Sequence, residues 1–408
     1  FNVPDKPQEY FNRLIKLFPQ EKEAIYQYFH DMKSVRNWTM RFILNSIFPY
    51  PLVIFNKIWN FLPSKLAYMT TSQYMNSLFK DNMLKAVLTA QWGMYGLPPE
   101  KSQFAIHALI TYHFLHGAWY PVGGSGELFK SIIPVIKKSG GTILLNTSVK
   151  KIILNNHNEA IGIKALHLTG GSYKEISANA PIIISGIGIN ETIQGLLDKN
   201  TDKIPLKEKK EINQDCSCVM LFAGLSRNPK EIGLSESNYW IYDNKDFNIL
   251  YKEKGTLLSG KPNHCMLSFP SLKDPHAKVH TAILFSFIEE HHFTPWKDKP
   301  WKNRGEDYLK LKKKIGESLI LFVNNRFPGF KEIVISYELS TPLTISHFLK
   351  KYNGAMYGIP SDLNRFSRGK YGPKSDIKNL YYTGCDAFCS GIVSSMWGGL
   401  ISAAAING

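Results

Sequence analysis

The sequence predicts an α/β (α+β) protein in which one domain is split by a second. Three observations carry this reading. The last thirty residues, Asn379–Gly408, read as a short apolar strand (Leu380–Thr383), a tight turn on Gly384, an acid at Asp386 and a helix of small residues. A stretch at about 117–190 shares that texture of glycines, small residues and buried strands. The stretch between them, about 191–370, is longer, more aromatic and patterned like antiparallel strands. A buried strand that feeds a helix N-terminus presents unpaired N–H groups and a positive dipole end, a good place to hold a cofactor. The same arrangement also serves as an ordinary strand–helix core, with Asp386 as an N-cap for the helix that follows.

Composition bounds the function. A chain of 408 residues has room for two sizeable cores, and 44% hydrophobic with 13% aromatic residues excludes a mostly disordered chain. The formal charge of +16 comes from scattered residues, 49 Lys and Arg against 33 Asp and Glu. Its densest runs are Lys207–Lys210 and Lys310–Lys314, and no nucleic-acid reader motif accompanies them, so no nucleic-acid partner is expected. The five cysteines (Cys216, Cys218, Cys265, Cys385, Cys389) form no zinc spacing and read as free thiols in a reducing compartment. No metal is expected; His291-His292 after Glu289-Glu290 shows no metal-ligand spacing. The chain opens on Phe1-Asn2-Val3-Pro4 with no signal-peptide pattern, which leads us to expect further residues upstream.

In chain order, residues 1–116 read as helical. Pro7–Lys33 carries apolar residues at helical spacing, interrupted at Pro19. Phe42–Asn56 is an uncharged run of 15 residues with two prolines, too short and broken to cross a bilayer. Basic residues and two tryptophans, Trp38 and Trp59, flank it. It reads either as a segment lying in a membrane interface or as a lid over an apolar channel. Amphipathic helices follow at Met83–Gly93 and Ser102–His116, where His107, His113 and His116 sit without acidic partners and read as core or channel-lining side chains. After GAWYPVGGSG (117–126) come a helix, Glu127–Lys138, and strands at Thr142–Leu145, Val149–Asn155, Ala160–Leu168, Tyr173–Ser177 and Pro181–Ser185. Turn signals at Asn155-Asn156 and Gly170-Gly171 separate them. Further strands are expected at Cys218–Leu225, Tyr239–Tyr242, His264–Phe269, Thr281–Phe287 and Glu332–Leu339, with a lysine-faced helix at Glu306–Phe327.

Two glycine clusters imitate a dinucleotide fingerprint. Gly124-Ser-Gly126 follows Trp-Tyr-Pro instead of a buried strand. Gly186-Ile-Gly188-Ile-Asn-Glu191 follows a strand, but its third glycine position is Glu191, whose bulk and charge oppose a pyrophosphate. Ser125 in Gly-Gly-Ser-Gly is no nucleophile elbow, and no catalytic triad stands out.

Four stretches together resemble a known family: residues 104–153, STPLT (340–344), GAMYGI (354–359) and NLYYTGCDAFCSGIV (379–393). The chain is similar to the flavin-dependent carotenoid and retinoid oxidoreductases, which comprise phytoene desaturases, carotenoid cis–trans isomerases and, most alike, the retinol saturases. The resemblance implies a fold of the glutathione-reductase type. A Rossmann-like FAD/NAD(P)-binding domain would be discontinuous, N-terminally truncated and built from 117–190 and 371–408. Residues 191–370 would form an antiparallel-sheet substrate domain and 1–116 a helical lid. It implies FAD as cofactor, with NAD(P)H as a possible electron donor, and an apolar polyene substrate. By position, Val149 would contact the adenine, Gly384 and Asp386 would form the turn at the ribityl-pyrophosphate, and Ile392 and Val393 would begin a helix facing the isoalloxazine. A helix N-terminus there stabilises the anionic reduced flavin. The reaction implied is C=C reduction by reduced flavin, with isomerisation, desaturation or a catalytically incomplete lipid-binding protein as alternatives. The catalytic residue is unknown; Tyr357 and His116 are candidates only. A peripheral, monotopic membrane location is implied, on the cytoplasmic membrane or endoplasmic reticulum. The chain departs from the family in lacking its N-terminal G-x-G-x-x-G βαβ unit.

Overall fold

The computed structural model describes residues 1–45, 61–198, 216–366 and 371–408. The Lys207–Lys210 run and residues 46–56 of the apolar run lie outside the described residues.

The chain opens with α1 (Pro7–Leu17) and α2 (Lys22–Asn45), separated by a single 3-10 turn that starts at Pro19. Proline cannot donate the next helical hydrogen bond, so the break falls where the sequence places it. α2 buries Ile25, Tyr28, Met32 and Val35, one stripe at helical spacing. The helices α3 (Phe61–Ala67), α4 (Thr71–Leu78), α5 (Asn82–Thr89) and α6 (Phe104–Phe114) pack on it. Thr70 and Gln73 form a reciprocal capping box at the start of α4. Asp81 caps α5 by accepting from the Met83 and Leu84 N–H groups. α6 is apolar around its circumference, and six of its side chains are buried, as an interior helix requires.

Five strands then form an antiparallel sheet: β5 (Ser217–Leu225), β6 (Tyr239–Tyr242), β7 (His264–Ser268), β8 (His280–Ile288) and β9 (Val334–Ser340), in the order β6-β7-β8-β5-β9. Alternation along the strands serves two cores. Val219, Leu221, Ala282 and Leu284 face a helix, α10 (Glu306–Arg326). Cys218, Phe285 and Phe287 face the N-terminal helices, where Trp92 stacks on Phe287 at 4.8 Å. One hydrophobic core therefore joins residues of 1–116 to residues of 191–370.

The remaining part is built from β1 (Thr147–Leu154), β2 (Ala160–Thr169) and β3 (Ser172–Asn179), an antiparallel meander, and from a two-stranded parallel pair. The β2–β3 turn is Gly170-Gly171, both at positive φ, the two-residue hairpin geometry that glycine permits. In the parallel pair, β4 (Ile183–Ser185) registers Ile183, Ile184 and Ser185 against Leu380, Tyr381 and Tyr382 of β10 (Leu380–Tyr382). The two strands are distant in sequence. The expected strand at Thr142–Leu145 does not form. Leu144 and Leu145 are exposed, and no strand among the described residues pairs with them; an apolar run needs a sheet partner to become a strand. The helix α7 (Gly126–Lys138) stands before them, with no buried residue.

Candidate functional site

The site is organised around the Gly384 turn. Thr383 extends the parallel pairing by donating its N–H to Ser185 O at 3.0 Å, which brings Gly384 beside Gly186. Above the turn lies α12 (Ile392–Asn407), preceded in chain order by α8 (Ile189–Leu196), α9 (Phe247–Lys252) and α11 (Pro342–Leu349). A Cβ at Gly398 would overlap the carbonyl of Gly384, so α12 rests backbone to backbone on the turn. Ser402 Oγ fastens the crossing by donating to Tyr382 O at 2.7 Å. Gly398, one of the small residues visible in the sequence, is there because nothing larger fits the crossing.

Asp386 is 3% exposed. Its Oδ2 accepts from Ile189 N–H at 2.8 Å and its Oδ1 from Ile359 N–H at 2.9 Å. It thus caps α8, from the far end of the chain, and ties in the 358–359 loop. A side chain at Gly358 would occupy the place of Oδ1. The helix that follows Asp386 is capped instead at Gly391, with φ +106°, so the sequence-based expectation of Asp386 as its N-cap is corrected: five residues of loop separate them. Sequence reasoning also missed Arg365. Its guanidinium is buried and donates to Phe388 O (3.1 and 2.7 Å), Ile359 O (3.2 Å) and Cys385 O. Together Asp386 and Arg365 hold the 384–391 loop from both sides. The only sequence signal was an arginine inside an otherwise glycine- and serine-rich loop. Burial, with Asp386 next, pushes the Cys385 thiol up to about 11, so the thiol stays protonated at neutral pH.

The start of α8 is filled. Glu191 is buried, accepts from Tyr352 N–H at 3.0 Å and lies 3.6 Å from Lys351 Nζ. Lys351 in turn donates to Ile187 O at 2.9 Å. A Cβ on Gly188 would collide with the Glu191 carboxylate. The acid thus stands where a pyrophosphate would sit in a true fingerprint.

Ile392 and Val393, at the first turn of α12, are 61% and 48% exposed, and a Cβ at Gly391 would meet open space. With Met396 and Leu400, both exposed, they form an apolar stripe along the outer face of α12. Ile184 of β4 and Phe129, Ile132 and Val135 of α7 are exposed as well. Val149 lies half-buried in β1, in a separate sheet, at an irregularity of the β1–β2 register. Tyr357 donates to Gly93 O at 3.2 Å, and His116 lies edge-on to Tyr112 just beyond α6. His107 is fully buried between Tyr28 and Tyr95, with its ring nitrogens 2.9 and 3.1 Å from their hydroxyls. Burial pushes its pKa down to about 3, so it is a neutral core histidine. A cavity of about 910 Å³ lies elsewhere, lined by Cys216, Ser217, Asn353, Asp362, Glu289 and His291 among others. None of the five expected cofactor residues lines it.

For a flavin, the residues present fit at one end. The bare glycine turn and the open first turn of α12 offer a flat approach and a helix N-terminus; the start of α8, plugged by Glu191, does not accept a phosphate.

No family model matches the chain. The fold is that of a solved putrescine oxidase double mutant, with a TM-score of 0.51 at 11% identity, covering 95% of this chain and 76% of that one. An all-trans-retinol 13,14-reductase of Danio rerio is 32% identical over 416 residues, 96% of this chain and 67% of the relative. Prolycopene isomerase 1 of an Oncidium hybrid cultivar is 23% identical over 425 residues, 99% of this chain and 68% of the relative. The architecture is therefore a mixed helix-and-sheet fold like that of the putrescine oxidase. The chain belongs to the family of all-trans-retinol 13,14-reductases and carotenoid isomerases, FAD-dependent oxidoreductases acting on CH–CH groups.

Proposed function

We propose that this chain takes part in the FAD-dependent reduction of a C=C bond in a conjugated isoprenoid, a retinoid or carotenoid. The observation that carries the reading is α12, laid backbone to backbone on the Gly384 turn with its first turn open to the surface. FAD, when bound, supplies the hydride; NAD(P)H is the donor we propose for it. The chain's own residues position and exclude. The N–H groups that begin α12, at Ile392 and Val393, would face the flavin pyrimidine, where a positive helix end favours the anionic reduced form. Gly384 leaves room for close approach, and Asp386 and Arg365 keep the turn in place. Val149 would meet the adenine. On this reading 117–190 and 371–408 are pieces of the cofactor domain, 191–370 is the substrate domain and 1–116 is a lid that keeps water from the polyene. The uncovered apolar faces of β4, α7 and α12 support that division, because parallel strands are ordinarily covered on both faces. An apolar polyene is delivered most simply from a membrane, so we also propose peripheral membrane association through the Phe42–Asn56 run; no helix among the described residues is long and apolar enough to cross one.

A second reading, cis–trans isomerisation of a carotenoid with reduced flavin and no net electron flow, is favoured by the prolycopene isomerase relative. One experiment separates them. The purified chain is mixed with FAD, its flavin absorbance is recorded after gel filtration, and retinol or prolycopene is added with dithionite under nitrogen. A product two mass units heavier supports reduction, and an isobaric product supports isomerisation. A colourless protein that retains no FAD would defeat both readings for this chain and favour a non-catalytic, lipid-binding one.

A further inference from the structure

A cluster of ligand-bearing side chains lies away from the glycine turn. Glu289 follows the end of β8, and the 3-10 turn Glu290–Trp296 curls two histidines back over it. Glu289 Oε2 is 3.4 Å from His292 Nε2 and 4.0 Å from His291 Nε2, and one ligand atom from each of the three residues falls within 4.8 Å of the others. Zinc bonds of about 2.0–2.1 Å in a tetrahedron set ligand atoms roughly 3.3–3.4 Å apart. The Glu289–His292 spacing already matches. His291, exposed at 66%, has the freedom to close the remainder by a small ring movement.

Two features argue that this is more than a surface ion pair. First, Glu289 already has its cation. Lys254 Nζ, on a side chain 4% exposed, donates to Oε1 at 2.9 Å and to Tyr251 O at 3.0 Å. That contact fixes the carboxylate and leaves Oε2 turned to the imidazoles, as outer-shell partners do for metal-ligating carboxylates. Second, the two imidazoles stand together, with ring centroids 4.0 Å apart, so both can reach one ion beside Glu289.

We propose that Glu289, His291 and His292 bind one divalent cation of the zinc class, with a fourth position open at the wall of the 910 Å³ cavity that Glu289 and His291 help to line. Two nitrogens and one oxygen select Zn²⁺, Ni²⁺ or Cu²⁺ over Ca²⁺ or Mg²⁺, which take oxygen ligands.

The test uses the untagged chain and zinc chloride, in competition with a chromophoric chelator. The expected result is one equivalent of Zn²⁺ on the wild type, with affinity at least tenfold lower in His291→Ala and in His292→Ala, and unchanged in His157→Ala. His291 is exposed, so His291→Ala folds even if a change at His292 disturbs the turn, and circular dichroism checks both. Wild-type affinity in His291→Ala, or a wild type that competes no better than that variant, would overturn the proposal.

Discussion

At Gly398 two opposing effects can be weighed. Alanine is the better helix former by about 1 kcal/mol. Its methyl group, however, would overlap the backbone of Gly384, which has no side chain to swing aside. Overpacking of that kind costs about 1–3 kcal/mol, so the overlap wins. Gly398→Ala should lower the urea midpoint, whereas Gly399→Ala, whose nearest neighbour is Thr383 Oγ1 at 3.9 Å, should leave it unchanged or raise it. An equal midpoint for both would show that α12 does not rest on the turn. Asp386 teaches a related lesson. Its chemistry was legible as an acid at a strand–helix junction, but its partners were not, because Ile189 and Ile359 lie far away in sequence.

Among the elements, α12 separates stability from cofactor binding. Its outer stripe is exposed, so a change at Ile392 removes little packing. An acid in the first turn even favours the helix by about 0.3–1 kcal/mol through the dipole. The same negative charge opposes an anionic reduced flavin. Ile392→Asp should therefore unfold in urea within about 0.5 kcal/mol of the parent, yet retain less flavin after gel filtration and hold it at a more negative potential. A variant that binds and reduces flavin like the parent would remove α12 from the proposed site. The strand elements show what period-2 patterning can and cannot supply. The runs at 239–242 and 264–269 became β6 and β7 nearly to the residue, whereas Thr142–Leu145, equally apolar, found no partner among the described residues.

For the molecule as a whole, two cores lie on either side of the five-stranded sheet, and one of them joins the described N-terminal helices to the central strands. Membrane contact, if it comes through the Phe42–Asn56 run, should be separable from that core. Changing Phe48, Leu52 and Phe55 together to Ser should move the protein from membrane pellet to supernatant with far-ultraviolet circular dichroism unaltered; unchanged partitioning would mark the run as internal. The scattered charge of +16 adds a general attraction to anionic lipid, which added salt should weaken.

By itself the sequence determined the element types and the family. Helical and alternating periods reflect which side chains meet water, and four separated stretches matched one family. It also exposed Glu191 as foreign to a phosphate-binding turn, because charge and bulk are properties of the residue alone. Only the tertiary structure decided what the Gly384 turn touches. The pairing of β4 with β10, the tie from Asp386 to α8, the clasp of Arg365 and the meeting of Glu289 with two histidines all join backbone or side chains through space. Such contacts depend on how distant segments are packed, and local pattern carries no record of that.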